Sequence, residues 1–246
     1  MRSAWRTDPG LVRENNEDRV LTDDKNGIFL LADGMGGGPG GEVASTLAVT
    51  TASSTLLNLL TASAIEEDIL RLMAEALTAA HSAVFKRTLA DPTLEGMGTT
   101  LDMVVIRREK LFICHVGDSR IYLFRKGTLR QITSDDNYAA FLAANEKIPP
   151  HLIPAAYHHV LMQAVGSSEE LMPEIQSSEI EAGDLLLMCS DGLNEALNDY
   201  EIEELISRSS GDLDSLAEAL IIASNDRGGT DNVSVVLIEP LCHSNG

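Results

Sequence analysis

Four aspartates interrupt apolar runs at scattered points of this 246-residue chain: Asp33 in IFLLADG, Asp118 in FICHVGDS, Asp191 in LLLMCSDG and Asp231 in GGTDNVSVV. In each case a run that reads as a buried strand stops at the carboxylate or starts just after it. A carboxylate is costly to hold in a core unless something pairs with it. Several brought together repel one another unless a cation neutralises them. The pattern therefore predicts a metal site of hard oxygen ligands, a donor set that selects Mg²⁺ or Mn²⁺ over zinc. The cysteines do not suggest zinc either, because Cys114, Cys189 and Cys242 are odd in number, widely spaced and form no CxxC pair.

Other stretches could join such a site. Arg13-Glu-Asn-Asn-Glu17-Asp18-Arg19 by itself reads as a solvated charge cluster before a strand. In combination, the planar guanidinium of Arg13 suits bidentate phosphate binding, and Glu17 and Asp18 suit a cation. The glycine-rich stretch from Asp33 to Glu42 contains Gly36-x-Gly38-x-x-Gly41 and formally matches a dinucleotide fingerprint. The acid expected about 20 residues on is missing, since positions 50 to 64 hold no Asp or Glu. A bare backbone that lets a metal approach, with Gly34 offering its carbonyl, fits better. Cys114-His-Val-Gly117-Asp-Ser-Arg120 fits the CxxGxxR loop of cysteine-dependent phosphatases. Such a loop opens a helix, whereas the following IYLFR reads as a strand, and Asp118 would put a negative charge in the cradle. That alternative, with Cys114 as nucleophile and Arg120 as phosphate ligand, is set against Cys114 in the core and Asp118 facing the site. Ser190-Asp191-Gly192 and Thr230-Asp231-Asn232 place carboxylates beside turns at sheet ends, where each alone would be an ordinary helix cap or Asx-turn.

The elements that must position these residues read as mixed rather than alternating. Strands are predicted near Arg2–Thr7, Arg19–Thr22 and Ile28–Ala32, then helices over Gly41–Leu60 and Ile65–Leu89, rich in Ala and Leu at helical spacing. β-patterned runs follow at Thr99–Ile106, Lys110–Val116, Arg120–Phe124 and Leu129–Ile132, with REK and RKG as hairpin turns. Ser134–Gly166 reads as an irregular, flap-like insertion with short helices, and His158-His159 as part of a polar helix face. Strands return at Pro173–Glu179 and Asp184–Cys189, helices at Asp199–Ser207 and Leu213–Asn225, and a last strand at Val233–Ile238. Antiparallel strands separated from paired helices suggest an α+β layered sandwich, expected here as one domain over residues 1–246.

Composition bounds the partners. Hydrophobic residues make up 44%, enough for a sizeable core. The net charge of -20 argues against nucleic acid and against an anionic membrane surface, and its ordinary reading is solubility. No apolar run reaches the roughly 20 residues that span a bilayer, and MRSAWRTDPG has no apolar segment behind its basic residues. A cytoplasmic monomer is expected.

Taken in order, Arg13…Glu17-Asp18, Asp33-Gly34, Gly98-Thr99-Thr100, Gly117-Asp118-Ser119-Arg120, Ser190-Asp191-Gly192 and Asp231-Asn232 resemble the motifs of the metal-dependent, type 2C serine/threonine protein phosphatases. The Asp-Gly-Met-Gly-Gly form resembles the bacterial members. The resemblance implies an α-β-β-α sandwich of antiparallel sheets with two Mn²⁺ or Mg²⁺ ions at one end. It makes Asp33 the bridge, the Gly34 carbonyl a ligand of one ion, and Asp191 and Asp231 ligands of the other. Asp18 and Glu17 would hold metal-bound waters, Arg13 would grip the phosphate, and Asp118 would help hold a third ion. The implied activity is hydrolysis of phosphoserine and phosphothreonine on proteins by a water bridging two metals, opposing a bacterial serine/threonine kinase. A catalytically silent phosphoprotein-binding module is the alternative from another class. Met35 stands where some members carry a histidine proposed as general acid, and Thr133-Ser-Asp-Asp136-Asn137 lacks the histidine often found in the flap.

Overall fold

The computed structural model describes residues 1–36, 40–61, 63–167 and 170–240. Gly37, Gly38 and Pro39 of the glycine-rich stretch, and Cys242, lie outside the described residues. Twelve strands and six α-helices are described: β1 (Arg2–Asp8), β2 (Arg19–Asp23), β3 (Ile28–Ala32), β4 (Gly34–Met35), α1 (Gly40–Leu59), α2 (Glu66–Ala90), β5 (Gly98–Thr99), β6 (Leu101–Arg107), β7 (Lys110–Val116), β8 (Arg120–Arg125), β9 (Thr128–Gln131), α3 (Tyr138–Asn145), β10 (Glu174–Glu179), β11 (Leu185–Cys189), α4 (Asp191–Ala196), α5 (Asp199–Arg208), α6 (Leu213–Asp226) and β12 (Val233–Glu239).

Strand alternation builds the layers. In β3, Ile28, Leu30 and Ala32 point to α1 and α2, and β6 and β7 add Leu101, Met103, Val105, Phe112, Cys114 and Val116 to that face. The intervening residues Phe29, Leu31, Val104, Ile106, Leu111 and Ile113 meet Ile121, Leu123, Leu186, Met188, Val236 and Ile238 of a second sheet. The far face of that sheet, with Tyr122, Leu187, Cys189, Val233, Val235 and Leu237, packs on the last helices through Ile202, Ile206, Leu216 and Leu220. Both sheets are thus buried on both sides, so their central strands read as unbroken apolar runs rather than clean alternations. The sheet orders are β10-β7-β6-β3-β2 and β1-β12-β11-β8-β9, all antiparallel. This is the expected four-layer α-β-β-α sandwich.

Hairpin chemistry follows the sequence closely. Arg108 and Glu109, and Lys126 with Gly127, have positive φ, the backbone that two-residue primed turns require. Two expectations are corrected. The run expected as one strand over Thr99–Ile106 splits at Thr100, because β5 pairs with β4 while β6 pairs with β3. Asp191, expected beside a turn, is the first residue of helix α4. No described helix is long and apolar enough to cross a membrane.

Candidate metal centre

Asp33 is held by the Gly-Thr-Thr segment across the sheet. Its amide donates to Thr100 Oγ1 at 2.9 Å, and its carbonyl accepts from Thr99 Oγ1 at 2.8 Å and from the Thr100 amide at 2.9 Å. Thr100 Oγ1 lies 2.9 Å from Ser119 Oγ, tying Asp33 to the turn that carries Asp118. The next residue, Gly34, packs directly on the start of α1. A Cβ there would lie 2.2 Å from the Gly41 carbonyl oxygen and 2.7 Å from that of Glu17, both backbone atoms. Gly34→Ala is therefore expected to destabilise the protein by about 3 kcal/mol, read as a lower midpoint in urea unfolding.

The N-terminal arm is stitched to the last strand by one side chain. Asn232 Oδ1 accepts from the Glu17 amide at 2.8 Å, and its Nδ2 donates to the carbonyls of Pro9 and Asn15 at 3.0 and 2.8 Å. This places Arg13 at the mouth of the site, where its Nη2 donates to Asp231 Oδ2 at 2.6 Å. Asp18 is 2% exposed and accepts from Ser190 Oγ at 2.7 Å, and that hydroxyl oxygen accepts in turn from the Ser234 amide at 2.9 Å.

Arg13, Glu17, Asp33, Gly34, Asp118, Asp191 and Asp231 line one cavity of about 410 Å³. Asp18 lies behind its wall. The cost of this arrangement shows in the proton affinities. Burial first, and then Asp18, Asp191 and Asp118, hold the Asp33 carboxyl well above the usual range, and it hydrogen-bonds to Asp191. Burial and Asp191 push Asp118 to about 8. Burial pushes Asp18 to about 7 against two serine hydrogen bonds, with Asp191 and Asp231 adding to the rise. Asp191 is raised by burial and by Asp231, and Glu17 by burial. Asp18 Oδ1 is buried with no hydrogen-bond partner. Crowded carboxylates that resist ionisation, an orphaned buried oxygen and a donor set of oxygens fit hard divalent cations.

Two residues that the motifs did not single out border the same cavity system. His159 Nδ1 lies 2.9 Å from Glu195 Oε1, and donor atoms of His159, Asp191 and Glu195 all fall within 4.8 Å of one another. His158 and His159 sit in a turn after a short 3₁₀ segment, not on the helix face expected for them. Glu195 follows Asp191 by four residues, one turn along α4, a signal that would have been visible had that helix been expected. Burial and Asp191 push Glu195 to about 7.

The cysteine alternative fails on geometry. Cys114 is fully buried, its thiol pushed up to about 12 by burial and Asp102. Arg120 opens strand β8, not a helix, and makes a two-point pair with Asp135, Nε–Oδ1 at 2.8 Å and Nη2–Oδ2 at 2.6 Å.

A two-sheet antiparallel sandwich between helical layers, with a carboxylate-lined cavity at the strand ends, is the architecture of the type 2C phosphatases. The chain belongs to this family: residues 12–225 match the protein phosphatase 2C family model. It is 36% identical over 246 residues to serine/threonine protein phosphatase PstP of Mycobacterium tuberculosis, covering all of this chain and 46% of that protein. The chain thus spans about half the length of this mycobacterial relative. It is 33% identical to the serine/threonine phosphatase stp of Listeria innocua, covering 97% of this chain and 96% of that one. Its structure is similar to that of a PstP catalytic domain in complex with two manganese ions, with a TM-score of 0.84, 38% identity and 97% of each chain covered.

Proposed function

We propose that this chain hydrolyses phosphoserine and phosphothreonine esters on proteins, using two Mn²⁺ or Mg²⁺ ions with room for a third, and opposes a bacterial serine/threonine kinase. The observation that carries this reading is the convergence of Asp33, Asp191, Asp231 and the Gly34 backbone with Arg13 on one cavity. Asp33 would bridge the ions, the Gly34 carbonyl would complete one, and Asp191 with Asp231 the other. Asp18 and Glu17 stand behind them as further oxygen partners, and Asp118 would help hold a third ion beside His159 and Glu195. When bound, such ions lower the pKa of a water and neutralise phosphoryl oxygens.

The chain's own residues do the rest. Arg13 presents a planar fork of donors to the phosphate at the mouth, where its side chain is 54% exposed. Asn232 fixes the arm that carries it. Met35, which lines the cavity, has no proton to give. We read residues 134–166 as a flap over the site within a single catalytic domain. Its substrates being products of ATP-dependent kinases, we place its action in the cytoplasm.

Purified protein is expected to hydrolyse a phosphothreonine peptide with added Mn²⁺ and to stop with chelator. Cys114→Ser should stay within about twofold of the parent, and Arg13→Ala should lose about 10- to 100-fold in kcat/KM, mostly through KM. Activity that survives chelation but vanishes in Cys114→Ser would sink the reading in favour of the thiolate alternative, and calorimetry showing no Mn²⁺ binding in an inactive protein would favour a silent binding module.

A further inference from the structure

Both roots of the flap are held by histidines, and the groups around the two rings favour opposite protonation states. At the first root, His115 Nε2 lies 3.0 Å from the Ser134 carbonyl oxygen, which can only accept. Its Nδ1 lies 2.6 Å from Asp102 Oδ1. The register sets Asp102 of β6 directly opposite His115 of β7. Both side chains continue the inter-sheet parity of their strands, and they are 0% and 2% exposed. Burial raises the Asp102 carboxyl and His115 opposes that rise; with Asp102 ionised by this pairing, both ring nitrogens carry hydrogen and His115 is an imidazolium.

The second root inverts this logic. The Gly166 amide donates to His81 Nδ1 of α2 at 3.1 Å, so that nitrogen must offer a lone pair and the ring must be neutral. Gly166 has φ +94°, and a Cβ there would lie 2.2 Å from Val84 Cγ1, so the turn is pressed against α2. The neighbouring Val165 exchanges backbone hydrogen bonds with Thr99 at 2.8 and 3.1 Å. The two roots are joined where the Met162 amide donates to the Asp136 carbonyl at 2.8 Å.

We propose that His115 and His81 are positioning residues that pin the flap over the site, the first only as a cation and the second only when neutral, so that flap order has both an acid and an alkaline limit. The effect on turnover rests on the phosphatase reading above; the pinning does not. The surroundings match these states. Burial pushes His115 down, but the Asp102 carboxylate and the hydrogen bonds to Asp102 and Ser134 outweigh it and lift the imidazole to about 9. The other acids around this pair are Glu174 of β10 and, at the flap root, Asp136 and Asp135, the last of which is paired with Arg120. Burial alone lowers His81, whose ring stacks parallel to that of Phe85. A raised histidine stabilises below its unfolded value and loses that contribution as pH rises through about 9. A lowered histidine stabilises above the ordinary value of about 6.5 and loses the contribution as pH falls.

Hydrogen exchange of the flap peptides, read by mass spectrometry on metal-free protein and corrected for intrinsic rates, tests this without any catalysis. Protection across 134–137 and 164–167 should peak between the two limits. His81→Leu should speed exchange at the second root about five- to tenfold near neutral pH. His81→Gln, whose amide oxygen accepts without titrating, should restore protection and abolish its acid limit. In phosphopeptide kinetics, His81→Leu should raise KM more than it lowers kcat, and His81→Gln should not. The titration of His115, followed by ¹⁵N NMR in the parent protein, should show a midpoint well above the ordinary 6.5. An ordinary midpoint near 6.5 for His115, or the same acid limit in the parent and His81→Gln, would overturn the proposal. Pinning that behaves as stated in a protein without phosphatase activity would leave it intact and remove only the phosphatase reading.

Discussion

Asp33→Asn is expected to reduce kcat/KM on a phosphothreonine peptide by about 10³-fold or more while leaving a protein that folds as well as the parent, and better in chelator. The loss corresponds to ~4 kcal/mol or more of transition-state stabilisation, the scale expected for a ligand that, in the proposed function, would be shared by two cations. The gain has a separate origin. Burial and the carboxylates of Asp18, Asp191 and Asp118 hold Asp33 well above the usual range. Without cations its ionised form is therefore disfavoured, and the protonated carboxyl donates to Asp191. An asparagine amide has nearly the same shape, can make the same donation and never has to ionise in that environment. Thermal unfolding in EDTA at pH 8 should give a higher midpoint for Asp33→Asn than for the parent, and added Mn²⁺ should reverse the order. A variant that retains more than a tenth of parental kcat/KM would remove Asp33 from the centre of the chemistry.

The second large effect is a coupling between pH and metal in the stability of the parent. Asp18 and Asp118 titrate at about 7 and about 8 in the folded state, against about 4 for an unfolded aspartate. Their folded values are raised, so the native state keeps protons that the unfolded chain releases. Stability is then fully present below pH ~4 as far as these groups are concerned, and is lost as pH rises through 7 and 8. In chelator the melting temperature should fall between pH 6 and pH 8.5 by on the order of 10 °C, since a few kcal/mol move Tm by several degrees in a chain of this size. If the proposed site holds Mn²⁺ through these carboxylates, saturating metal would keep them ionised and should flatten the slope, so that stabilisation by the metal is largest at alkaline pH. Equal slopes with EDTA and with Mn²⁺ in scanning calorimetry would contradict the assignment of these acids to the metal site.

Much of this molecule was legible in one dimension because its strands are short, apolar and sharply terminated. The carboxylates at Asp33, Asp118, Asp191 and Asp231 stood out because each ends or precedes a run that could not otherwise tolerate them. The features that escaped were those with no local period. Helix α4 is six residues long, too short to show an amphipathic repeat, and with it Glu195 was lost from view. His159 carries no spacing signal because it reaches Asp191 through the path of an irregular segment. The role of Thr99 and Thr100 as clamps on Asp33 depends on β5 leaving the run that continues as β6.

The sequence by itself determined the layered architecture, the family and the identity of the acids, because alternation, chain punctuation and six ordered motifs are properties of covalent order. Only the tertiary structure decided how those acids behave. It set Asp18 behind the cavity wall with one oxygen unpartnered, and aimed Arg13 at Asp231. It also set His115 between Asp102 and the Ser134 carbonyl, and His81 against the Gly166 amide. Protonation depends on desolvation and on neighbours drawn from distant strands, and neither quantity exists until the two sheets close on each other.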